Sequence, residues 1–222
     1  MITLPNTSKA FEFENNFYFS CEATRMAKWA AHYELFQRTK DLPGAFVECG
    51  LFKGVSFLRF AMFRSIFGNE NSQKMIGFDV FDEFPESSLA EDKKYIDKFI
   101  SEAGSLSISK KQLFDILKEK GIEKNIDLIK GDICHTVPEY LEKDPSLRIS
   151  LLNLDVDIYE PSVTILEKLW PRIVKGGILI LDDYGKFTGE TNAVDEYFRG
   201  KDLTINKFPF CQFPSFIVKN DF

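Results

Sequence analysis

The chain is poor in the residues from which soft-metal and disulfide sites are built. Its 222 residues include four Cys and two His, and Cys21, Cys49, Cys134 and Cys211 are scattered with no CxxC pair. That scatter argues against a zinc site and a disulfide framework, and fits reduced thiols in a cytosol. Basic residues are outnumbered, 28 Lys and Arg against 34 Asp and Glu, for a net charge of -6. A nucleic-acid partner wants a basic stripe, so none is expected. Long apolar runs are missing too: no stretch approaches the roughly 20 residues that span a bilayer. Met1 to Glu14 lack a basic start followed by an apolar segment, so the expected location is cytoplasmic, with no membrane partner. Internal repeats and low-complexity linkers are also absent, and the length suits one α/β domain over 1–222.

What is abundant is phenylalanine, 23 residues, much of it in apolar runs such as Phe57, Phe60 and Phe63 that read as core. Met26, Trp29, Ala30, Tyr33 and Phe36 recur at helical spacing and predict a helix over 20–40, within an N-terminal helical arm over about 1–42. Strands are expected at 45–47, 75–78, 126–129, 149–154 and 177–181. Helices are expected at 53–67, 90–103, 109–120, 135–143, 160–172 and 191–199. Two last strands near 203–208 and 214–219 have too short a connection for a crossover helix and should pair antiparallel. The alternation implies a doubly wound, mostly parallel seven-stranded sheet, α/β and Rossmann-like, ending in an antiparallel hairpin. The polar stretch 80–120 reads as a lid.

Two constellations carry chemistry. Glu48-Cys49-Gly50-Leu51-Phe52-Lys53-Gly54 follows the first strand and opens a helix, and the second strand ends in Asp79. Glycines there let the backbone bend and approach a ligand, while an acid at the second strand end can hold ribose hydroxyls. The pattern is E-x-G-x-x-x-G rather than the dinucleotide G-x-G-x-x-G. Glu48 would repel a pyrophosphate, whereas a sulfonium with an amino-acid tail would be tolerated, which favours adenosylmethionine. The second constellation is Asp155-Val156-Asp157 after strand four and Asp182-Asp183 after strand five. Neighbouring strands bring these carboxylates together at the ligand-binding edge, where a hard divalent cation relieves their repulsion. Bound to a hydroxyl, such a cation lowers its pKa. Strand-end Asp residues can also be simple loop caps.

At these motifs the chain resembles the macrocin O-methyltransferase family of sugar-modifying enzymes. The likeness rests on Glu48 to Val55, on Asp79-Val-Phe-Asp-Glu-Phe-Pro85, on Asp155-Val-Asp-Ile-Tyr-Glu-Pro161, and on Pro171 followed by Gly176-Gly177 and Asp182-Asp183-Tyr184. It covers residues 43–198 in order and spacing. It implies a class I methyltransferase fold, S-adenosylmethionine as donor, and Mg²⁺ or Mn²⁺ held by Asp155, Asp182 and Asp183. It further implies cofactor contacts at Glu48, Gly50, Gly54, Asp79 and Phe81, and Asp155 at or beside the catalytic base. The acceptor it implies is a sugar or sugar-nucleotide hydroxyl. Glu83 and Val80 depart from the family pattern, and the N-terminal arm and residues 86–120 do not match it, which leaves the acceptor open.

Among the remaining residues, Asp132 and Ile133 follow strand three and should border the adenine. His135, close by, is a second candidate proton acceptor or an adenine-side neighbour, or else a solvent-exposed helix-start residue. His32 reads as packing. Arg25 faces the cofactor's carboxylate or snorkels along its helix. The competing readings are a small-phenol or catechol methyltransferase, which a flat aromatic-walled pocket would favour, and a non-catalytic adenosylmethionine- or glycan-binding protein. Self-association stays open.

Overall fold

The computed structural model describes residues 2–83 and 90–220. The expected lid therefore falls partly outside the described residues, as do Phe84 and Pro85 of the second motif. Strands β1 (Ala45–Cys49), β2 (Met75–Asp79), β3 (Ile126–Lys130), β4 (Ile149–Leu154), β5 (Ile173–Leu181), β6 (Asn206–Lys207) and β7 (Ser215–Val218) form one sheet. Their order is β3-β2-β1-β4-β5-β7-β6. The first five are parallel, and β7 runs antiparallel to both β5 and β6. The expected fold class is thus the observed one.

A short 3-10 turn and the exposed helix α1 (Ala10–Ser20) precede α2 (Ala23–Thr39). The helices that follow are α3 (Val55–Phe67), α4 (Ala90–Ala103), α5 (Lys110–Glu119), α6 (Ile133–Lys143), α7 (Tyr159–Leu169) and α8 (Thr188–Phe198). Side chains alternate across the sheet. Phe46, Leu151, Ile178 and Ile180 meet Ala31, Leu35, Phe57, Phe60 and Leu113 on one face. Val47, Leu152, Leu154 and Leu179 meet Val137, Ile165, Leu166 and Val194 on the other. Both faces of the central strands β1, β2 and β4 are buried, which is why those strands are largely apolar.

Element ends differ from the sequence reading in ways that local chemistry explains. Helix α6 starts at Ile133 rather than 135, because the Asp132 carboxylate caps the Cys134 N–H at 2.9 Å. Strand β5 starts at Ile173 rather than 177. Its register against β4 slips between Ile149 and Leu151, and a left-handed Gly176 (φ +81°) takes up the bulge. Strand β6 is reduced to Asn206–Lys207, since Leu203 and Ile205 pack against the apolar face beside α7 and α8 instead. No helix among the described residues is long and apolar enough to cross a membrane.

Strand β1 lies between β2 and β4, so the chain winds outward from it in both directions. Ligands in such sheets bind beyond the carboxyl ends of the strands at this reversal. The residues that follow β1 and β4 are Gly50 and Asp155.

Candidate active site

A cavity of about 940 Å³ opens over these strand ends, with α2, α3 and α4 contributing walls. Gly50, Asp79, Asp132 and Ile133 line it, as do Asp155, Asp157, Asp182 and Asp183. The glycine turn and the carboxylates, remote in sequence, therefore share one chamber.

Gly50 has no substitute here. Its φ is +89°, and an added Cβ would fall 1.7 Å from the Asp155 carbonyl oxygen. The turn it permits points backbone N–H groups at Asp79, whose Oδ2 accepts from Leu51 at 2.7 Å and Phe52 at 3.0 Å. The Phe81 N–H donates to the other carboxylate oxygen. Burial pushes the Asp79 pKa up against the pull of these donors. Glu48, one residue before Cys49, is fully buried. It accepts from the Ser56 hydroxyl and lies beside its register partner Asn153 on β4. Burial raises its pKa to about 8, with the Ser56 hydrogen bond opposing.

The carboxylates divide into two groups. Oxygens of Asp155, Asp157 and Asp183 all lie within 4.8 Å of one another. Asp182 is not part of that trio, although its charge acts on Asp155 more strongly than that of Asp183 does: Lys28 Nζ stands 2.5 Å from its Oδ2, and His32 Nε2 is 3.8 Å from its Oδ1. The sequence reading put Asp182 in the metal trio and left Asp157 beside it. In the structure the converging trio contains Asp157, because Lys28 of α2 reaches across to claim Asp182. Burial, then Asp182, drives the Asp155 pKa well above the usual range, and burial, then Asp183, does the same to Asp157. Burial opposes ionisation of Asp182 as well, but the Lys28 ammonium outweighs it and holds that carboxyl below the ordinary range. Lys186 pairs with Asp183 at 2.7 Å. The buried Glu190 of α8 accepts from the Asp183 N–H at 3.2 Å, and burial, then Asp183, pushes its pKa well up.

His32 is buried and stacked on Phe60, with ring centroids 4.9 Å apart. It is more than packing. Arg59 Nη1 lies 3.1 Å from its Nδ1. A guanidinium can only donate, so Nδ1 must accept and the ring proton sits on Nε2, facing Asp182. Burial lowers the His32 pKa to about 4, which keeps the ring neutral.

Not every expected residue reaches the cavity. Glu48 and Phe81 are buried behind it, and Phe81 contributes a backbone N–H rather than its ring. Gly54 serves α3, giving it a left-handed start at φ +74° with Leu113 Cδ1 3.0 Å from where a Cβ would lie. His135 does not join the carboxylates. Its side chain is 78% exposed, and its nearest acid is Asp132 at 3.9 Å, because α6 starts two residues early and turns it to solvent. Lys28, Arg59 and Glu190 were missed as site residues. A signal existed for Lys28: it lies one helical turn before His32 and two before Leu35–Phe36, on the buried stripe of α2.

Comparison with known proteins agrees with this geometry. The family model for macrocin-O-methyltransferase (TylF) matches residues 21–208. A tetracenomycin-C 4'-O-methyltransferase of Streptomyces olivaceus, whose full name specifies a 2,3-dimethoxy-α-L-rhamnosyl substrate, is 28% identical over 166 residues. That alignment takes in 72% of this chain, and the chain spans only 59% of the relative's length. The calicheamicin methyltransferase CalS11 superposes with a TM-score of 0.78 at 23% identity, covering 99% of this chain and 88% of CalS11. The O-methyltransferase NovP gives 0.71 at 19% identity, covering 88% and 80%. At those identities the two structures attest the fold alone. The family match spans nearly the whole sheet, both strand-end constellations and α2, and on it the chain belongs to the macrocin-O-methyltransferase family.

Proposed function

We propose that this chain transfers the methyl group of S-adenosylmethionine to a sugar hydroxyl, assisted by a divalent cation. One observation carries the reading: a single cavity joins the Gly50–Asp79 turn to a cluster of converging carboxylates across the β1/β4 reversal. Asp79 and the loop at Asp132–Ile133 would hold the adenosine half, and Gly50 would let the sulfonium pass close to the backbone. The donor set at the other end is all oxygen, which suits Mg²⁺ or Mn²⁺ and not zinc. Asp155, Asp157 and Asp183 would hold the ion, with Asp182 at its border under the grip of Lys28. Such a cation would supply Lewis acidity toward the acceptor hydroxyl, making it a better nucleophile. Asp155 would take the hydroxyl proton. His135 has no part in this reading. Methyl transfer itself needs no covalent intermediate, so orientation and charge placement supply the rate.

The acceptor class follows from relatives. CalS11 is described as a TDP-rhamnose 3'-O-methyltransferase and the Streptomyces olivaceus relative acts on a rhamnosyl group, so a deoxysugar, free on a nucleotide or glycosidically bound, is the acceptor proposed here. Incubation with isotopically methyl-labelled adenosylmethionine, Mg²⁺ and a panel of nucleotide deoxysugars and rhamnosides tests it. Label in a sugar product is the expected result. Label in a catechol and in no sugar would overturn the acceptor class.

A further inference from the structure

The cations that line the cavity are not equivalent. Lys28 and Lys186 each sit against a carboxylate, Asp182 and Asp183. Lys98 lies 3.9 Å from Glu102, and Lys53 donates to the Leu106 carbonyl. Arg25 and Arg59 stand apart: both line the cavity, and among the described residues neither has a carboxylate within the 4.0 Å of an ion pair. Arg59 is half-buried, and one edge of its guanidinium is spent on a neutral imidazole. Burial lowers its pKa, and the like charge of Arg25 adds to that, against the pull of Glu48 and Asp182. A desolvated guanidinium kept beside a second one is unfavourable unless an anion comes between them.

The helix ends point the same way. Arg25 stands in the first turn of α2, whose N-cap Glu22 makes no side-chain capping bond. Val55 and Ser56 open α3 and line the cavity, and Gly54 leaves that helix uncapped as well. Uncapped N–H groups in the opening turn of a 13-residue helix, with two guanidiniums, make a receptor for a planar or tetrahedral oxyanion.

We propose that Arg25 and Arg59, with the N-terminal turn of α3, form an oxyanion subsite of this cavity that clamps a carboxylate or phosphate of the bound ligands. This rests on the methyl-transfer reading, which offers two sources of that chemistry. One is the carboxylate on the donor's amino-acid tail, and the other is the diphosphate of a nucleotide-sugar acceptor.

Calorimetry on the full chain separates them with three probes: adenosylhomocysteine, methylthioadenosine (the same nucleoside without the amino-acid tail) and thymidine diphosphate. Arg25→Gln and Arg59→Gln are compared with the wild type. Arg25 is exposed, so its variant keeps the test valid should Arg59→Gln disturb His32. A tenfold or greater loss for adenosylhomocysteine, with methylthioadenosine unchanged, places the donor carboxylate in the clamp. A similar loss for thymidine diphosphate alone places the acceptor phosphate there. Arg25→Gln with wild-type affinity for all three probes overturns the proposal. A wild type that binds neither nucleoside sinks the donor reading instead, and the thymidine diphosphate arm still decides the clamp.

Discussion

Replacing Asp157 by Asn should make the metal-free protein more stable. Oxygens of Asp155, Asp157 and Asp183 approach within 4.8 Å. At an effective dielectric of about 20, two full charges at that distance repel by about 3.5 kcal/mol. The folded protein relieves part of this by holding protons it would release when unfolded, since the Asp155 and Asp157 pKa values are raised by burial and by each other's neighbours. The sign follows: a carboxyl with a raised folded-state pKa contributes stability that is complete below its unfolded value near 4. That contribution is lost as pH rises through the folded value. Metal-free wild type should therefore lose stability as pH rises above about 4. Asn keeps the shape, carries no charge, and its amide can donate to Asp183 in place of the shared proton. Allowing for the proton already held, Asp157→Asn should gain about 2–3 kcal/mol at pH 8, or about 5–10 °C in midpoint. Thermal denaturation with EDTA, and again with Mg²⁺, reads it. Mg²⁺ should raise the wild-type midpoint and raise that of Asp157→Asn much less. An Asp157→Asn protein less stable than wild type in EDTA, with a wild-type midpoint indifferent to Mg²⁺, would refute the reasoning.

Three further outcomes are expected. Asp79→Ala should weaken adenosylhomocysteine binding by about ten- to a hundredfold, measured by calorimetry, because on the proposed reading the acid would meet the ligand, and it fixes the Leu51–Phe52 turn. His135→Ala should leave kcat/KM within about twofold of wild type; a hundredfold loss would restore this residue as the base. Gly50→Ala should cost at least about 3–4 kcal/mol by denaturant titration, since a Cβ would overlap the Asp155 carbonyl and φ is positive.

The fold was legible because the central parallel strands, buried on both faces, announce themselves as largely apolar runs, and each strand ends at or just before a polar or glycine residue. Both constellations were legible for the same reason: strand ends are one-dimensional landmarks. What was not legible came from helices crossing the sheet. Lys28 and His32 look like interruptions of an apolar stripe, and only the packing of α2 on the sheet brings them to Asp182, just after β5. Spacing could place Asp157 and Asp182 within one neighbourhood but not decide which would converge with Asp155, since a competing ammonium from another element settles that. His135 failed because α6 starts two residues early, and each residue of helix turns a side chain by about 100°. Glu190 and Asn153 did leave a trace, as polar residues inside otherwise apolar faces, but such a trace does not say what the residue faces.

The contact between Gly50 and the Asp155 backbone has a mechanical side. These residues end adjacent, hydrogen-bonded strands, whose separation of about 4.8 Å is set by the sheet ladder and hardly varies. The place where the methyl group leaves and the place where it arrives would thus be mounted on neighbouring rails of one rigid frame. The gap between them would be a property of the sheet, so donor and acceptor would stay in registration even while the helices and loops above them rearrange to admit sugars of different shape.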